Sequence, residues 1–172
     1  RSMATRGSLG GLATTTREVC DVLDAGGFDR ILIETVGVGQ SELDVARTAD
    51  STVLVLVPES GDGIQTLKSG IMEIGDLFVV NKADRPGADR LRQEIEVTLG
   101  IRHGNAFRHV KAHHGPAVTG PAAAAAPAAD PPGWMPPVLG TIAAKGEGTD
   151  ALVAALERHR AQLEATGELE VR

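Results

Sequence analysis

The sequence is organised around an apolar run that ends in an acid and then in glycines. This run reads Ile31-Leu32-Ile33-Glu34-Thr35-Val36-Gly37-Val38-Gly39-Gln40. Isoleucine, leucine and valine in such a run predict a buried strand, here over residues 30–36. Ligands of open α/β sheets lie beyond the carboxyl ends of the strands, so Glu34 is a candidate ligand for hydrated Mg²⁺. The amide of Gly37 could reach a terminal phosphate. The same residues also fit an ordinary strand followed by a glycine-rich turn.

The composition bounds the class of protein. A chain of 172 residues with 42% hydrophobic residues suits one packed domain, and 2% aromatics means a core of aliphatic side chains. The net charge of −6, without a basic block, argues against nucleic-acid or acidic-membrane binding. No apolar stretch is long enough to span a membrane. Cys20 is the only cysteine, so a reducing, cytoplasmic location is expected.

Helical and strand patterns alternate along the chain, which predicts a parallel α/β sheet flanked by helices. Further strands are predicted at residues 52–57, 77–80 and 138–143. Helices are predicted at residues 14–25 and 62–74, and around two apolar sets, Leu91, Ile95, Leu99 and Leu152, Leu156, Leu163. Asp62 is predicted to cap the helix at 62–74 with Gln65 as its reciprocal partner, and Thr149 to cap the last helix.

Residues 112–137 interrupt this alternation. An alanine run at 122–126 lies among prolines and offers no apolar stripe to bury. This composition predicts a low-complexity linker or surface insertion within the domain. Histidines cluster nearby without the cysteine or acidic partners of a metal site, so a solvated loop is expected there; they are His103, His109, His113 and His114.

A second motif, Asn81-Lys82-Ala83-Asp84, directly follows the predicted strand at residues 77–80. The carboxylate of Asp84 can accept two hydrogen bonds from N1–H and N2–H of guanine, a donor pair that adenine lacks. Such a site can discriminate between bases by roughly 10⁴-fold. The stem of Lys82 can lie along the base, and Asn81 can fix the loop. The position after an apolar strand favours a guanine site over an ordinary strand-to-helix turn.

A third segment, residues 142–148, follows the last predicted strand and is rich in alanine and glycine. Small side chains let the backbone approach a ligand closely. The amides of Ala143 and Ala144 are therefore candidate donors to the guanine carbonyl. Small residues are common after strands, so this segment alone is a weak signal. Its position in sequence after the other two motifs supports a role in the same site.

Together these motifs resemble a known family. The opening Arg1-Ser2-Met3-Ala4-Thr5-Arg6-Gly7, the stretch 34–40 followed by Ser41-Glu42, and the Asn81 motif are similar to the methylmalonyl-CoA mutase-associated G proteins of the MeaB, ArgK and MMAA type. The likeness covers nearly the whole chain except the alanine- and proline-rich insertion. It is specific because Glu34 stands where other G proteins carry Asp. It implies a partial signal-recognition-particle-like (SIMIBI) P-loop GTPase domain.

The resemblance also implies an activity, cofactors and partners. The family binds GTP and GDP with Mg²⁺, hydrolyses GTP, and gates cobalamin loading and protection of methylmalonyl-CoA mutase or a related acyl-CoA mutase. By this likeness Glu34 would hold Mg²⁺, Gly37 would contact the γ-phosphate and Gln40 would orient the attacking water. Residues 62–68 match the family's switch segment. There the residues expected to couple nucleotide state to the mutase are Asp62, Gln65 and Lys68.

The chain also departs from the family pattern. It contains no glycine-rich phosphate loop, and Ile142 stands where the family usually has Ser. By the resemblance, that loop lies upstream of Arg1 and most of a C-terminal dimerisation arm is missing. We therefore expect residues 1–172 to be the base-binding half of a G domain that is homodimeric when complete and inactive as this piece alone. Two other classes stay open: a phosphotransferase of the same fold, and a non-catalytic binding module.

Overall fold

The computed structural model describes residues 15–35, 46–58, 71–102 and 133–170. Its regular elements are numbered here in chain order. The strands are β1 (Val53–Leu56), β2 (Leu77–Asn81) and β3 (Val138–Thr141). The helices are α1 (Thr16–Ala25), α2 (Ala88–Arg102) and α3 (Thr149–Thr166). Short 3-10 turns occupy Ile71–Glu73, Ala143–Lys145 and Glu168–Glu170.

The three strands form one parallel sheet in the order β1-β2-β3. Val53 pairs with Leu77, and Phe78 pairs with Val138. The central strand β2 is buried from Leu77 through Val80, as an unbroken apolar run in a parallel sheet should be. The predicted parallel α/β sheet is therefore confirmed.

The helices α2 and α3 cover the sheet because each presents a buried stripe to it. Leu91, Ile95 and Leu99 of α2 are spaced by four residues and are buried in one cluster with Phe78 and Val80. Leu77 and Val79 point to the opposite face of β2 and are equally buried. α3 contacts β2 and β3 and lies outside the α2 cluster, which places it on that opposite face. Its buried stripe consists of Ala155, His159 and Leu163.

The strand predicted at residues 30–36 is wrong over residues 31–35, which belong to no described strand. Leu32 is 92% exposed. An apolar run becomes a strand only where a neighbouring strand supplies hydrogen bonds, and within the described ranges β1 pairs with β2 alone. A similar correction applies to α1. The helix forms as predicted, but Val22 on its expected apolar face is 71% exposed.

Two boundaries and the burial of one strand differ from the sequence prediction. β3 ends at Thr141, and Ala143 belongs to a 3-10 turn instead of the strand. The N-cap of α3 is Gly148, which has a left-handed conformation, and Thr149 is already the first helical residue. The hydroxyl of Thr149 donates instead to the carbonyl of Gly146 at 2.7 Å. In β1, Val55 is 60% exposed, so that strand is less buried than its apolar sequence predicts.

Other predictions fall wholly or partly outside the described residues. The start of the helix at 62–74 lies outside, and at its end Ile71–Glu73 forms a 3-10 turn. Most of the segment 112–137 lies outside as well. Its last residues, 133–137, are described and lead into β3, where the amide of Phe78 donates to the carbonyl of Pro137 at 2.9 Å. No helix in the described ranges combines the length and the apolar character needed to cross a bilayer.

Candidate functional site

The candidate site is built around Asn81, the last residue of the central strand. Asn81 pairs in register with Thr141, the last residue of β3. Its side-chain oxygen accepts one hydrogen bond from the Thr141 hydroxyl at 3.2 Å and another from the amide of Ala143 at 3.1 Å. One side chain thus ties the loop after β2 to the loop after β3. The sequence prediction was that Asn81 fixes the loop it belongs to, and the bonds the structure shows from its side chain run to Thr141 and to the loop after β3.

The backbone strengthens this junction. The amide of Ala83 donates to the carbonyl of Thr141 at 3.0 Å, and the amide of Arg85 closes a turn by donating to the carbonyl of Lys82 at 2.9 Å. Lys82 has a φ of 56°, in the left-handed region that non-glycine residues rarely occupy. Holding a lysine there costs roughly 1–3 kcal/mol, and such residues cluster at ligand sites. The neighbouring hydrogen bonds hold this conformation in place.

Asp84 lies in the same turn and is exposed. No hydrogen bond or ion pair joins its carboxylate to another residue in the described part of the chain. An ionised carboxylate is an acceptor with two oxygens, so this group is available for a pair of donors from outside the protein. The adjacent strained turn and the Asn81 junction fix the backbone that carries it.

The loop after β3, residues 142–148, is closed on itself. The amide of Ile142 donates to the carbonyl of Glu147 at 3.0 Å, and that of Lys145 donates back to Ile142 at 2.8 Å. Of the two predicted base donors, the amide of Ala143 is already used by Asn81. The amide of Ala144 makes no hydrogen bond to another described residue. The structure therefore narrows the candidate donor from two amides to that of Ala144.

Glu34 lies among the described residues, and no hydrogen bond or ion pair joins it to these loops. Its carboxylate is exposed and, among the described residues, makes no hydrogen bond or ion pair. Mg²⁺ keeps several waters and commonly takes one or two carboxylates together with substrate phosphates. A single free carboxylate therefore fits that chemistry. Gly37 and Gln40, the other residues predicted for the phosphate end, lie outside the described residues, as do Asp62, Gln65 and Lys68.

Sequence reasoning missed Thr141. Its hydroxyl is one of the donors to Asn81, and its carbonyl accepts from Ala83. A signal was present, because Thr141 is a polar residue inside the predicted strand at 138–143. A buried hydroxyl requires a partner, and the carboxyl end of the neighbouring parallel strand is where that partner lies.

The parallel sheet, flanked by helices and with two joined loops beyond its carboxyl edge, is an α/β arrangement consistent with a P-loop GTPase-like domain. The sequence family described as methylmalonyl-CoA mutase-associated GTPase MeaB matches the chain over residues 1–172. The chain belongs to this family.

Named relatives agree with this assignment. A Pyrococcus abyssi protein whose name includes the word GTPase is 44% identical over 169 residues, which are 98% of this chain and 45% of that protein. The Mus musculus protein named methylmalonic aciduria type A homolog, mitochondrial, is 34% identical over 98% of this chain and 35% of its own length. GTPase ArgK of Escherichia coli is 43% identical over 49% of this chain and 25% of its own. The chain spans less than half the length of these relatives.

Proposed function

We propose that this chain is the guanine-recognising part of a GTPase that acts as a chaperone for a cobalamin-dependent methylmalonyl-CoA mutase or a related acyl-CoA mutase. The observation that carries the proposal is the Asn81 junction. The carboxylate of Asp84 and the amide of Ala144, neither of them bonded to another described residue, belong to two loops that this junction ties together beyond one edge of the sheet. Family membership supports the link to GTP and to the mutase.

In this proposal the two loops read the base from two sides. Asp84 accepts hydrogen bonds from N1–H and N2–H of guanine, and the amide of Ala144 donates to the carbonyl oxygen O6. Adenine reverses the donor and acceptor pattern along this edge, which leaves the carboxylate and the amide unpaired. The aliphatic stem of Lys82, held by its left-handed backbone, covers one face of the base.

The phosphate end of the site is proposed from sequence. Glu34 would hold Mg²⁺ through its waters, Gly37 would present its amide to the γ-phosphate, and Gln40 would orient the attacking water. Mg²⁺ would neutralise charge on the phosphates when bound. The carboxylate of Glu34 is exposed and bonded to no other described residue, which supports its part in this arrangement.

The partner side of the proposal concerns residues 62–68. In it, Asp62, Gln65 and Lys68 couple the nucleotide state to the mutase, as an order–disorder switch does in other GTPases. The whole protein would be a cytoplasmic homodimer that gates cobalamin loading. Family membership supports the mutase as the partner, and nothing in the described residues bears on the dimer.

The test uses the chain expressed together with the residues that flank it in its gene. Labelled GTP is followed with and without the cognate mutase, and the released label is traced to water or to an acceptor. Phosphate released to water, with guanine preferred over adenine, supports the proposal. Transfer of the label to a protein or small-molecule acceptor indicates the phosphotransferase alternative, and binding without any turnover indicates a binding module.

A substitution tests the partner side separately. Lys68→Ala should leave basal GTP hydrolysis within a few-fold and should blunt the acceleration by the mutase. Full stimulation in this variant removes Lys68 from the coupling.

A further inference from the structure

A second group of polar side chains lies at the opposite end of the sheet from Asn81, where the strands begin. Ser51 comes just before β1, Asp76 just before β2 and Trp134 shortly before β3. They meet His159 of α3, which is only 1% exposed. We call these four residues the basal cluster. A histidine this deeply buried needs hydrogen-bond partners, because an unpaired ring nitrogen away from water is destabilising.

Each polar atom of the histidine ring has a neighbour. Nδ1 lies 2.8 Å from the hydroxyl of Ser51, and Nε2 lies 3.4 Å from a carboxylate oxygen of Asp76. A carboxylate only accepts, so in the neutral ring Nε2 carries the proton and the Ser51 hydroxyl donates to Nδ1. The indole of Trp134 packs against the imidazole with ring centroids 4.7 Å apart, and its Nε1 donates to the backbone carbonyl of Asp76 at 2.7 Å.

Asp76 links the cluster to two strands at once. Its other carboxylate oxygen accepts from the amide of Thr52 at 2.8 Å, and its own amide donates to the carbonyl of Thr52 at 2.9 Å. The starts of β1 and β2 are thereby held to each other, and His159 attaches α3 to both. The cluster is a joint between one helix and the sheet.

Serine, histidine and aspartate are also the residues of hydrolytic triads, but this arrangement differs from them. In a triad the carboxylate holds Nδ1 and the serine uses Nε2. Here the two partners are exchanged, and the ring is enclosed. The geometry favours a structural role for the hydrogen bonds over nucleophilic catalysis.

The basal cluster restricts the rotation of α3 about its axis, which apolar packing alone restricts less. The neighbours of His159 on the buried stripe of α3 are Ala155 and Leu163, one turn before and one turn after it. Their contacts are not directional, so the helix can rotate or slide slightly without losing them. Hydrogen bonds to Ser51 and Asp76 depend on distance and angle, and therefore set the rotation of α3 about its axis.

That rotation reaches the candidate site through the first turn of α3. The helix begins at Thr149, directly after the loop 142–148, and His159 lies ten residues on, about 15 Å along the axis. The Thr149 hydroxyl donates to the carbonyl of Gly146, and the amide of Leu152 donates to the carbonyl of Gly148 at 3.2 Å. Any rotation of α3 about its axis must therefore move these loop residues, and the amide of Ala144, with it.

We propose that His159 is a positioning residue for guanine recognition: the basal cluster sets the orientation of α3, and α3 holds the loop that presents the Ala144 amide to the base. This role rests on the proposed function. It acts at a distance, since His159 lies at the other end of the sheet from Asn81.

The test measures how fast a fluorescent GDP dissociates from the folded protein, expressed with its flanking gene residues. A dissociation rate reports on molecules that are folded and loaded, so molecules already unfolded do not contribute to it, and the control variant below accounts for a general loss of stability. His159→Leu removes both hydrogen bonds while keeping an apolar side chain. Ser51→Ala removes one bond and carries the test if the leucine variant does not fold. His159→Asn keeps a polar atom near the position of Nδ1.

The matched control is Leu163→Ala, which removes packing from the same stripe of α3 and none of the polar groups. We expect His159→Leu to raise the dissociation rate about three- to tenfold, the equivalent of one weakened hydrogen bond at the base. Ser51→Ala should give a smaller rise, His159→Asn should recover part of the loss, and Leu163→Ala should stay within about twofold of the unchanged protein.

Two results overturn the proposal in distinguishable ways. If the unchanged protein does not bind the fluorescent GDP at all, the proposed function fails and this role fails with it. If the unchanged protein binds, and Ser51→Ala and any folded His159 variant dissociate no faster than Leu163→Ala, guanine binding stands and His159 is only a structural residue.

Discussion

Asn81 and Ala143, 62 residues apart in sequence, are joined by a hydrogen bond of 3.1 Å from the backbone amide of one to the side chain of the other. Because that amide is engaged within the protein, it cannot also serve the base. In the proposed function, the bond therefore leaves the amide of Ala144 as the donor that residues 142–148 present to the base. Together with the backbone bond from Ala83 to Thr141, it links the two loops beyond the sheet.

Replacing that side chain tests the junction. Asn81→Ala leaves the Thr141 hydroxyl and the Ala143 amide without their acceptor, and we expect a loss of roughly 1–3 kcal/mol in the free energy of unfolding. Guanine-nucleotide affinity should fall with it. Urea unfolding and nucleotide titration measure the two effects. The control is Thr141→Val, which removes only one of the two bonds and should be milder on both counts; equal effects would argue against the Ala143 bond.

In the proposed function, base choice depends on Asp84. In Asp84→Asn one carboxylate oxygen becomes an amide donor, so the group can no longer accept from both N1–H and N2–H of guanine. Xanthine carries a carbonyl in place of the amino group and should then bind relatively better. Competition between GTP and XTP measures the change, and an unaltered preference for GTP in the variant removes Asp84 from the base site.

Two glycines of the loop after β3, residues 142–148, form a matched pair for substitution. Gly146 and Gly148 have φ values of 72° and 78°, so alanine at either position is strained by about 1 kcal/mol or more. A Cβ at Gly146 meets nothing within 4 Å, whereas one at Gly148 presses on the carbonyl oxygen of Gly140. Gly148→Ala should therefore lower the thermal midpoint clearly more than Gly146→Ala. Similar losses would mean that α3 does not begin as close to β3 as the structure has it.

The packing of α2 can be tested on its two faces. Ile95 is fully buried against the sheet, and Ile95→Ala should reduce the free energy of unfolding by about 2–5 kcal/mol. Val97 on the same helix is 59% exposed, and Val97→Ala should change it by less than about 0.5 kcal/mol. Chemical denaturation compares the two, and a large effect at Val97 would indicate a partner surface over that face.

The central part of the fold was predictable because its signals are local and repeated. An unbroken apolar run indicates β2, and the four-residue spacing of Leu91, Ile95 and Leu99 indicates α2. The role of Asn81 followed from its position directly after a strand. These features depend on periodicity and on strand ends, which a sequence shows directly.

Other features depend on neighbours that are distant in sequence. The run beginning at Ile31 has the composition of a strand, but composition does not supply the adjacent strand that would accept its hydrogen bonds. His159 gave no signal either, since one histidine in an amphipathic helix is unremarkable until Ser51 and Asp76 are brought against it. Capping at Gly148 instead of Thr149 depends on a left-handed turn that local propensity does not specify.

The order of the strands has a consequence for the way the domain folds. The central strand meets β1 across a separation of 24 residues, seen between Thr52 and Asp76, and meets β3 across 60, seen between Asn81 and Thr141. Closing the longer loop costs about 0.8 kcal/mol more chain entropy, so β1 and β2 should associate first. The loops after β2 and β3 would then be joined after β1 and β2 have paired, and in the proposed function nucleotide binds only once they are joined. Bound nucleotide should accordingly slow unfolding and leave the rate of folding nearly unchanged.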